Sequence, residues 1–200
     1  MTINAKISKP IFATSNSIIR SNSKHFQAGG TMTMTHGKWT GRLIKRIHDF
    51  RNCGRWSGIT IRQNKTKNIH IITIYRPTKG TSETSFYNQN KEILMQQEIE
   101  TDPQKQFYTD LIKTIKAIKY PEDELIIMGD FNQAIEAPDL VNFIQELNLH
   151  NPIPNPPTRT YKFGSKCIDH IFITNGIKIA IQQSLQYWRI VLLCNMSSKH

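Results

Sequence analysis

Residues 125–132 read Leu-Ile-Ile-Met-Gly-Asp-Phe-Asn. Four consecutive apolar residues are typical of a strand buried on both faces, and Gly129 allows a sharp turn where that strand ends. Asp130 and Asn132 are two positions apart, so on an extended segment both side chains leave the same face. A carboxylate beside a carboxamide at a strand tip is suited to activating and orienting a water molecule. A plain Asp/Asn turn after a strand has the same local pattern.

The segments on either side of this strand mix strand and helix patterns. Apolar or β-branched runs predict strands at Thr31–Thr35, Ile59–Arg62 and Asn68–Tyr75. A further pair at Ile168–Thr174 and Ile177–Ile181 is separated by Asn175-Gly176, which predicts a hairpin. The stretch Pro152–Pro157 is predicted to be a loop, and the last 17 residues show no clear period.

Three helices are predicted, and each has a sequence signal for its position. The first runs from Ser85 to about Glu100. The second has Asp102 as its N-cap and Pro103 at its first position. The third begins at about Asp139. Because strands and helices mix without strict alternation, the sequence predicts an α/β fold with sheets covered by helices.

Two further strand ends carry polar groups of interest. Alternation from Ile168 places Asp169 on a face with apolar neighbours, where a carboxylate needs a partner such as a histidine or a metal ion. An Asp at a strand start that binds the preceding loop is the alternative, and His170 is predicted to be structural or edge-exposed. Tyr75 and Arg76 precede a proline and present a phenol and a guanidinium suited to phosphate contact.

The charge of the chain points to a polyanionic partner. Its 200 residues hold 26 Lys and Arg against 15 Asp and Glu, for a formal net charge of +11. Residues 1–48 contain eight basic residues and no acid, and every carboxylate lies between Asp49 and Asp169. We therefore expect non-specific electrostatic binding to DNA, with a solvated and partly disordered basic tail as the alternative. The basic, Ser- and Asn-rich start also has the composition of an organelle transit peptide, but its short apolar stretches at Ile11-Phe12 and Ile18-Ile19 favour strand remnants instead.

Composition excludes several other classes of protein. No apolar run approaches the about 20 residues that a membrane-spanning helix needs, so we expect no membrane partner. The three cysteines form no CxxC pair, which argues against a disulfide scaffold or a zinc ribbon and favours a reducing compartment.

Taken together, these segments resemble the endonuclease/exonuclease/phosphatase superfamily. The resemblance rests on a strand ending Tyr75-Arg-Pro77, the Gly-Asp-Phe-Asn132 strand tip and the later Ile168-Asp-His170. The blocks Gly29-Gly-Thr31, Gly37–Arg42 and Gly54–Ser57 further resemble the endonuclease part of non-LTR retroelement reverse-transcriptase polyproteins. The similarity spans about residues 29–181 and implies a four-layer α/β sandwich.

The resemblance also implies roles for individual residues. Asp130 and Asn132 match the pair that activates the attacking water and holds the phosphate. Asp169 matches the carboxylate that orients a catalytic histidine, for which His200 is the candidate in this chain, and Tyr75 matches a phosphate-side tyrosine. The implied reaction is Mg²⁺-assisted hydrolysis of a phosphodiester, with a phosphomonoester as substrate in some branches.

The chain departs from the family pattern near both ends. The family has an early metal-binding Glu, but here no acid precedes Asp49; it closes with Ser-Asp-His, but here Lys199 stands between Ser198 and His200. The metal ligands therefore remain unassigned. We expect a partial copy whose fold is incomplete at both ends and whose hydrolytic activity is impaired or absent. A catalytically dead nucleic-acid-binding module and a non-functional retroelement fragment are the alternatives.

The expected organisation has three parts: a basic, weakly ordered segment (residues 1–28), the partial endonuclease-like domain (29–181) and a divergent tail (182–200). A functional retroelement endonuclease would be intracellular and would work in the nucleus.

Overall fold

The computed structural model describes residues 11–18, 29–153, 160, 166–183 and 188–193. Its main feature is a five-stranded sheet in the order β3-β4-β5-β6-β7, with two separate two-stranded sheets, β1-β2 and β8-β9. The strands are β1 (Ile11–Asn16), β2 (Thr31–His36), β3 (Leu43–His48), β4 (Trp56–Arg62), β5 (Asn68–Tyr75), β6 (Glu124–Asp130), β7 (Asp169–Ile173), β8 (Lys178–Gln183) and β9 (Trp188–Leu193). The helices are α1 (Phe86–Gln96), α2 (Pro103–Ile118) and α3 (Pro138–Glu146), and Gly37–Arg42 form a 3-10 helix.

The centre of the large sheet is the parallel pair β5-β6, and the other pairs are antiparallel. A parallel pair needs a crossover connection, and α1 and α2 supply it here. The predicted strand Asn68–Tyr75 is confirmed over its full length, and β6 contains the predicted apolar run. Both strands carry β-branched and apolar residues on both faces because both faces are covered.

One face of the large sheet packs against the helices. Trp56, Ile72, Ile127 and Phe172 on the sheet side are fully buried against apolar residues of α2 and α3. The predicted start of α2 is confirmed, because the Asp102 side chain accepts a hydrogen bond from the Gln104 backbone N–H at 2.7 Å. The helix α1 is shorter than expected and ends at Gln96, although its predicted first residue, Ser85, is its N-cap.

The other face of the large sheet packs against the β1-β2 sheet. Ile59, Ile71, Ile126 and Ile171 form the apolar cluster on this side. The inner face of β1-β2 is unusual because it is lined by buried threonines; the hydroxyl of Thr33, for example, donates to the Ser57 carbonyl at 3.0 Å. The strand β1 lies within the N-terminal segment for which the composition predicts little order, so that part of the segment is ordered.

The predicted hairpin between residues 168–174 and 177–181 is wrong. The strand β7 pairs with β6, whereas β8 pairs with β9, which lies in the tail that showed no period. The turn between β7 and β8 is instead fastened to β6: the Thr174 hydroxyl accepts from the Leu125 N–H and donates to Glu124. Gly176 leaves no room beside Glu124 even for a Cβ atom. The turn residues therefore dock on the sheet instead of reversing the chain into a hairpin.

The predicted α/β class is confirmed. The described residues form three stacked layers, namely the helices, the five-stranded sheet and the β1-β2 sheet. None of the helices in the described part of the chain is long and apolar enough to cross a membrane.

Candidate active site

Three of the predicted site residues lie in one row across the sheet. Tyr75, the last residue of β5, pairs with Asp130, the last residue of β6, and Asp130 pairs with Asp169, the first residue of β7. Residues paired in register across neighbouring strands point to the same face of a sheet. We call Tyr75, Asp130 and Asp169 the carboxylate row. The register therefore brings the ends of β5 and β6 and the start of β7 to one edge of the sheet.

The electrostatics of the row centre on Asp130. Burial raises the pKa of Asp130 above its ordinary value, and the negative charge of Asp169 raises it further, against the effect of a hydrogen bond from Asn132. Burial also raises the pKa of the Tyr75 phenol, and the charge of Asp130 adds to that shift. A carboxylate with a raised pKa is a stronger base than an exposed one, as water activation requires.

Asn132 does not share a face with Asp130 in the way the sequence predicted. The strand ends at Asp130, and Asn132 adopts a left-handed conformation with φ of 50°. Its backbone N–H donates to Asp130 Oδ1 at 2.8 Å, and its side-chain amide donates to the Arg76 carbonyl at 2.7 Å. The alternation rule for extended chain fails here because the chain has already turned. Asn132 therefore fixes the Asp130 side chain and joins the tips of β5 and β6.

Asp169 is exposed, so the expectation that it lies among apolar neighbours and needs a partner is wrong. It does lie on the same face as Ile171 and Ile173, but it is the first residue of β7, beyond the apolar cluster. The predicted structural role of His170 is confirmed. His170 is 7% exposed, packs against Phe131 and hydrogen-bonds through Nε2 to the Gln133 carbonyl at 2.8 Å.

Tyr75 and Arg76 project to opposite sides of the sheet, which separates the phenol and guanidinium that the sequence placed together. Tyr75 packs against Phe86 with ring centroids 5.0 Å apart. Arg76 is 2% exposed and its guanidinium lies 5.4 Å from the centre of the Tyr108 ring, on the helix side. The Arg76 guanidinium is therefore not beside the Tyr75 phenol. The Arg76 backbone does contact the site, because its N–H donates to the Asp130 carbonyl and its carbonyl accepts from the Asn132 side chain.

Sequence reasoning missed the residues that fix the loop after β6. The Tyr108 hydroxyl donates to Gln133 Oε1 at 2.6 Å, and Gln133 also receives the bond from His170. On the other side, the Thr160 hydroxyl accepts from the backbone N–H groups of Ile168 and Asp169. The only available signal was that Gln133 directly follows the Gly-Asp-Phe-Asn motif.

The ligands for a metal ion are few. In the described ranges, no group of three or more His, Cys, Asp or Glu side chains is placed to hold a metal. The row offers the carboxylates of Asp130 and Asp169. Mg²⁺ in proteins is usually bound by one or two carboxylates, with water and substrate phosphate as its remaining ligands. The carboxylate row supplies that number of protein ligands and no more. His200, the predicted histidine of the site, lies outside the described residues.

Comparison with known proteins identifies a sequence-family match. Residues 45–187 match the model of the Endonuclease/Exonuclease/phosphatase family. No curated protein matches the sequence.

Solved structures with a similar fold share little sequence with the chain. The human Nocturnin catalytic domain with bound sulfate has 13% identity, with a TM-score of 0.52 over 92% of this chain and 65% of that one. The endonuclease domain of TRAS1, a telomere-specific non-LTR retrotransposon, has 13% identity and a TM-score of 0.48 over 86% and 74%. A Staphylococcus aureus beta toxin mutant with bound magnesium ions has 17% identity and a TM-score of 0.42 over 86% and 66%.

Proposed function

The chain belongs to the endonuclease/exonuclease/phosphatase family, and on that premise we propose that the carboxylate row is a Mg²⁺-assisted phosphodiester-hydrolysing site that turns over activated diesters slowly and is too impaired to nick DNA. The observation that carries the proposal is the register that aligns Tyr75, Asp130 and Asp169 on adjacent strands. Three strand ends are thereby brought to one face with two carboxylates and a phenol, which are groups that a phosphate-hydrolysing site uses.

The roles follow from the surroundings of each side chain. Asp130 is the general base, because burial and the charge of Asp169 raise its pKa and its orientation is fixed by the Asn132 N–H. The exposed Asp169 remains accessible to solvent and substrate. Tyr75 contacts a phosphate oxygen as a hydrogen-bond donor, since its raised pKa keeps the phenol protonated. Members of the family bind divalent metal ions, and Mg²⁺ held by the exposed carboxylate of Asp169, with water and substrate oxygens completing its ligands, would neutralise charge on the phosphate.

The low rate follows from the metal-binding and catalytic groups that this chain lacks. The described residues bring two carboxylates together, and no acid precedes Asp49 to supply the early Glu of the family. Lys199 stands where the Ser-Asp-His pattern has a carboxylate. Loss of one essential group from a coupled site commonly costs several orders of magnitude in rate. We infer a domain of retroelement type, acting in the nucleus if it is active.

The test compares an activated substrate with a natural one. With Mn²⁺ or Mg²⁺, the chain should hydrolyse bis(4-nitrophenyl) phosphate slowly, because its good leaving group needs no general acid. Asp130→Asn should lower that rate at least about tenfold, since a general base contributes roughly 10²–10⁴-fold. The matched control is Glu136→Gln, an exposed carboxylate outside the row, which should leave the rate unchanged.

Supercoiled plasmid should not be nicked by the unmodified chain above the level of Asp130→Asn, whereas Lys199→Asp should increase nicking. Hydrolysis of the activated diester that does not depend on Asp130 would overturn the assignment of the base. Plasmid nicking by the unmodified chain that Asp130→Asn abolishes would show that the rate is not impaired.

A second candidate function is DNA binding without hydrolysis, which the net charge of +11 favours. DNA binding with no turnover of the activated diester would support this candidate against hydrolysis.

A further inference from the structure

A basic groove lies at the end of the large sheet opposite the carboxylate row. It has a volume of about 670 Å³. Its lining residues come from the end of the 3-10 helix, the start of β3, the end of β4 and the following loop; they are Gly41, Arg42, Leu43, Ile44, Arg62, Gln63, Asn64 and Lys65. Along β5 the two ends are six residues apart, from Ile69 to Tyr75, which corresponds to roughly 20 Å. The basic groove is thus separate from the candidate active site.

The described lining of the basic groove carries three cationic side chains and no carboxylate. Arg62 and Lys65 are exposed, and Arg42 is half-buried. The one acid among residues 1–82 is Asp49, which is fully buried against Arg55 near the other end of the sheet. Apart from the buried Asp49, the chain segments that supply the groove lining therefore contribute no carboxylate.

The walls of the basic groove are held in place by hydrogen bonds. Arg42 Nη1 donates to the Gln63 carbonyl at 3.1 Å and so joins the two walls. The side-chain oxygen of Asn64 accepts from the backbone N–H groups of Thr66 and Lys67, both at 2.9 Å. These bonds close the loop that carries Lys65. A cationic loop that is already ordered loses less conformational entropy on binding an anion than a flexible one does.

We propose that the basic groove binds the phosphate backbone of a polynucleotide, independently of the carboxylate row. Guanidinium and ammonium groups are the usual partners of backbone phosphates, and their contacts carry no sequence preference. The same cations could serve only to protect the edge strand β3 from pairing with another chain. Protection of this kind requires charge at the edge but no bound partner, so measured DNA affinity separates the two roles.

The experiment measures binding without hydrolysis. Fluorescence anisotropy of a labelled 20-base-pair duplex is recorded with the full chain in EDTA, from about 50 to 200 mM salt. The variant pair Arg62→Ala with Lys65→Ala removes two groove cations. It should weaken binding at least about tenfold at 100 mM salt and reduce the salt slope by about 1.8, because each phosphate contact contributes about 0.9.

Two controls separate the groove from overall charge and from folding. Lys91→Ala with Lys113→Ala removes two exposed charges from α1 and α2, which do not line the groove, and should leave the salt slope unchanged. The exchange Arg62→Lys with Lys65→Arg retains the groove charge and should bind like the unmodified chain. The variant pair Arg62→Ala with Lys65→Ala should still hydrolyse the activated diester at the rate of the unmodified chain, so loss of groove binding and loss of hydrolysis are distinguishable.

Two results would overturn the proposal. Equal loss of affinity in the groove pair and in the helix pair would show that binding follows net charge alone. Displacement of the duplex by polyglutamate as readily as by unlabelled duplex of equal charge would identify the groove as a site for acidic polypeptides.

Discussion

At the scale of single residues, Asp130 shows the competition between activity and stability. Its side chain is partly buried beside a second carboxylate, so the folded protein holds the Asp130 proton more tightly than the unfolded chain does. The folded-state pKa is raised, and the favourable contribution to stability is therefore present in acid and is lost as the pH rises through that pKa. At neutral pH the ionised carboxylate destabilises the fold.

Asp130→Asn is accordingly expected to raise the melting temperature at pH 7, while it lowers hydrolysis. The neutral amide needs no charge solvation, and its oxygen can still accept the Asn132 N–H. The increase in melting temperature should become smaller as the pH falls toward about 4, near the unfolded pKa of Asp, because Asp130 itself is then increasingly protonated and neutral. Thermal melts between pH 4 and pH 7 measure it, with Glu136→Gln as the exposed control. A melting temperature of Asp130→Asn at or below that of the unmodified chain at pH 7 would contradict the argument.

At the scale of secondary-structure elements, Gly129 sets how closely β5 and β6 approach beside the row. Its φ of 140° is disfavoured for residues with a side chain, and a Cβ there would lie 2.1 Å from the Ile74 carbonyl oxygen. That oxygen belongs to the backbone of the neighbouring strand, so relief requires the strands to separate.

Gly129→Ala should destabilise the protein by more than the about 1–3 kcal/mol that such backbone strain alone costs, and it should also displace Asp130. Urea unfolding gives the loss in stability. Gly41→Ala is the matched control, since a Cβ at Gly41 meets no atom within 4 Å. Equal unfolding midpoints for the two variants would rule out close strand approach as the reason for glycine.

At the scale of the whole molecule, a buried ionic network joins the sheet layer to the helix layer. Arg55, just before β4, is fully buried and donates to Asp49 at 2.7 and 2.8 Å and to Asp110 of α2 at 2.9 Å. Arg51 also contacts Asp110, at 2.7 Å, but its side chain is 18% exposed. Arg51 and Arg55 thus both link the turn between β3 and β4 to α2, and Arg55 is the fully buried one of the two.

Arg55→Ala should destabilise the protein by about 3–5 kcal/mol, because it leaves two buried carboxylates without their main cation. Arg51→Ala should cost less, since water can reach that side chain. Chemical denaturation of both variants tests this order. If Arg55→Ala lowered the free energy of unfolding by no more than Arg51→Ala does, burial would not be what determines how much each arginine stabilises the protein.

The sequence by itself determined the strands and helices whose signals are local. The run of β-branched residues in β5, the apolar run in β6 and the N-cap at Asp102 each depend on neighbouring residues along the chain. The motifs at Tyr75, Asp130 and Asp169 likewise identified the family and three members of the candidate site.

Only the tertiary structure decided what depends on residues far apart in the sequence. The strand register placed the three motif residues in one row, whereas the turn after Asp130 removed Asn132 from its predicted face. The pairing of β7 with β6 and of β8 with β9 replaced the expected hairpin. The buried bonds from His70 to Thr60 and Asp123 similarly join three separate segments. Local patterns report which face a residue takes along its own strand, but strand pairing and burial depend on the packing of the whole chain.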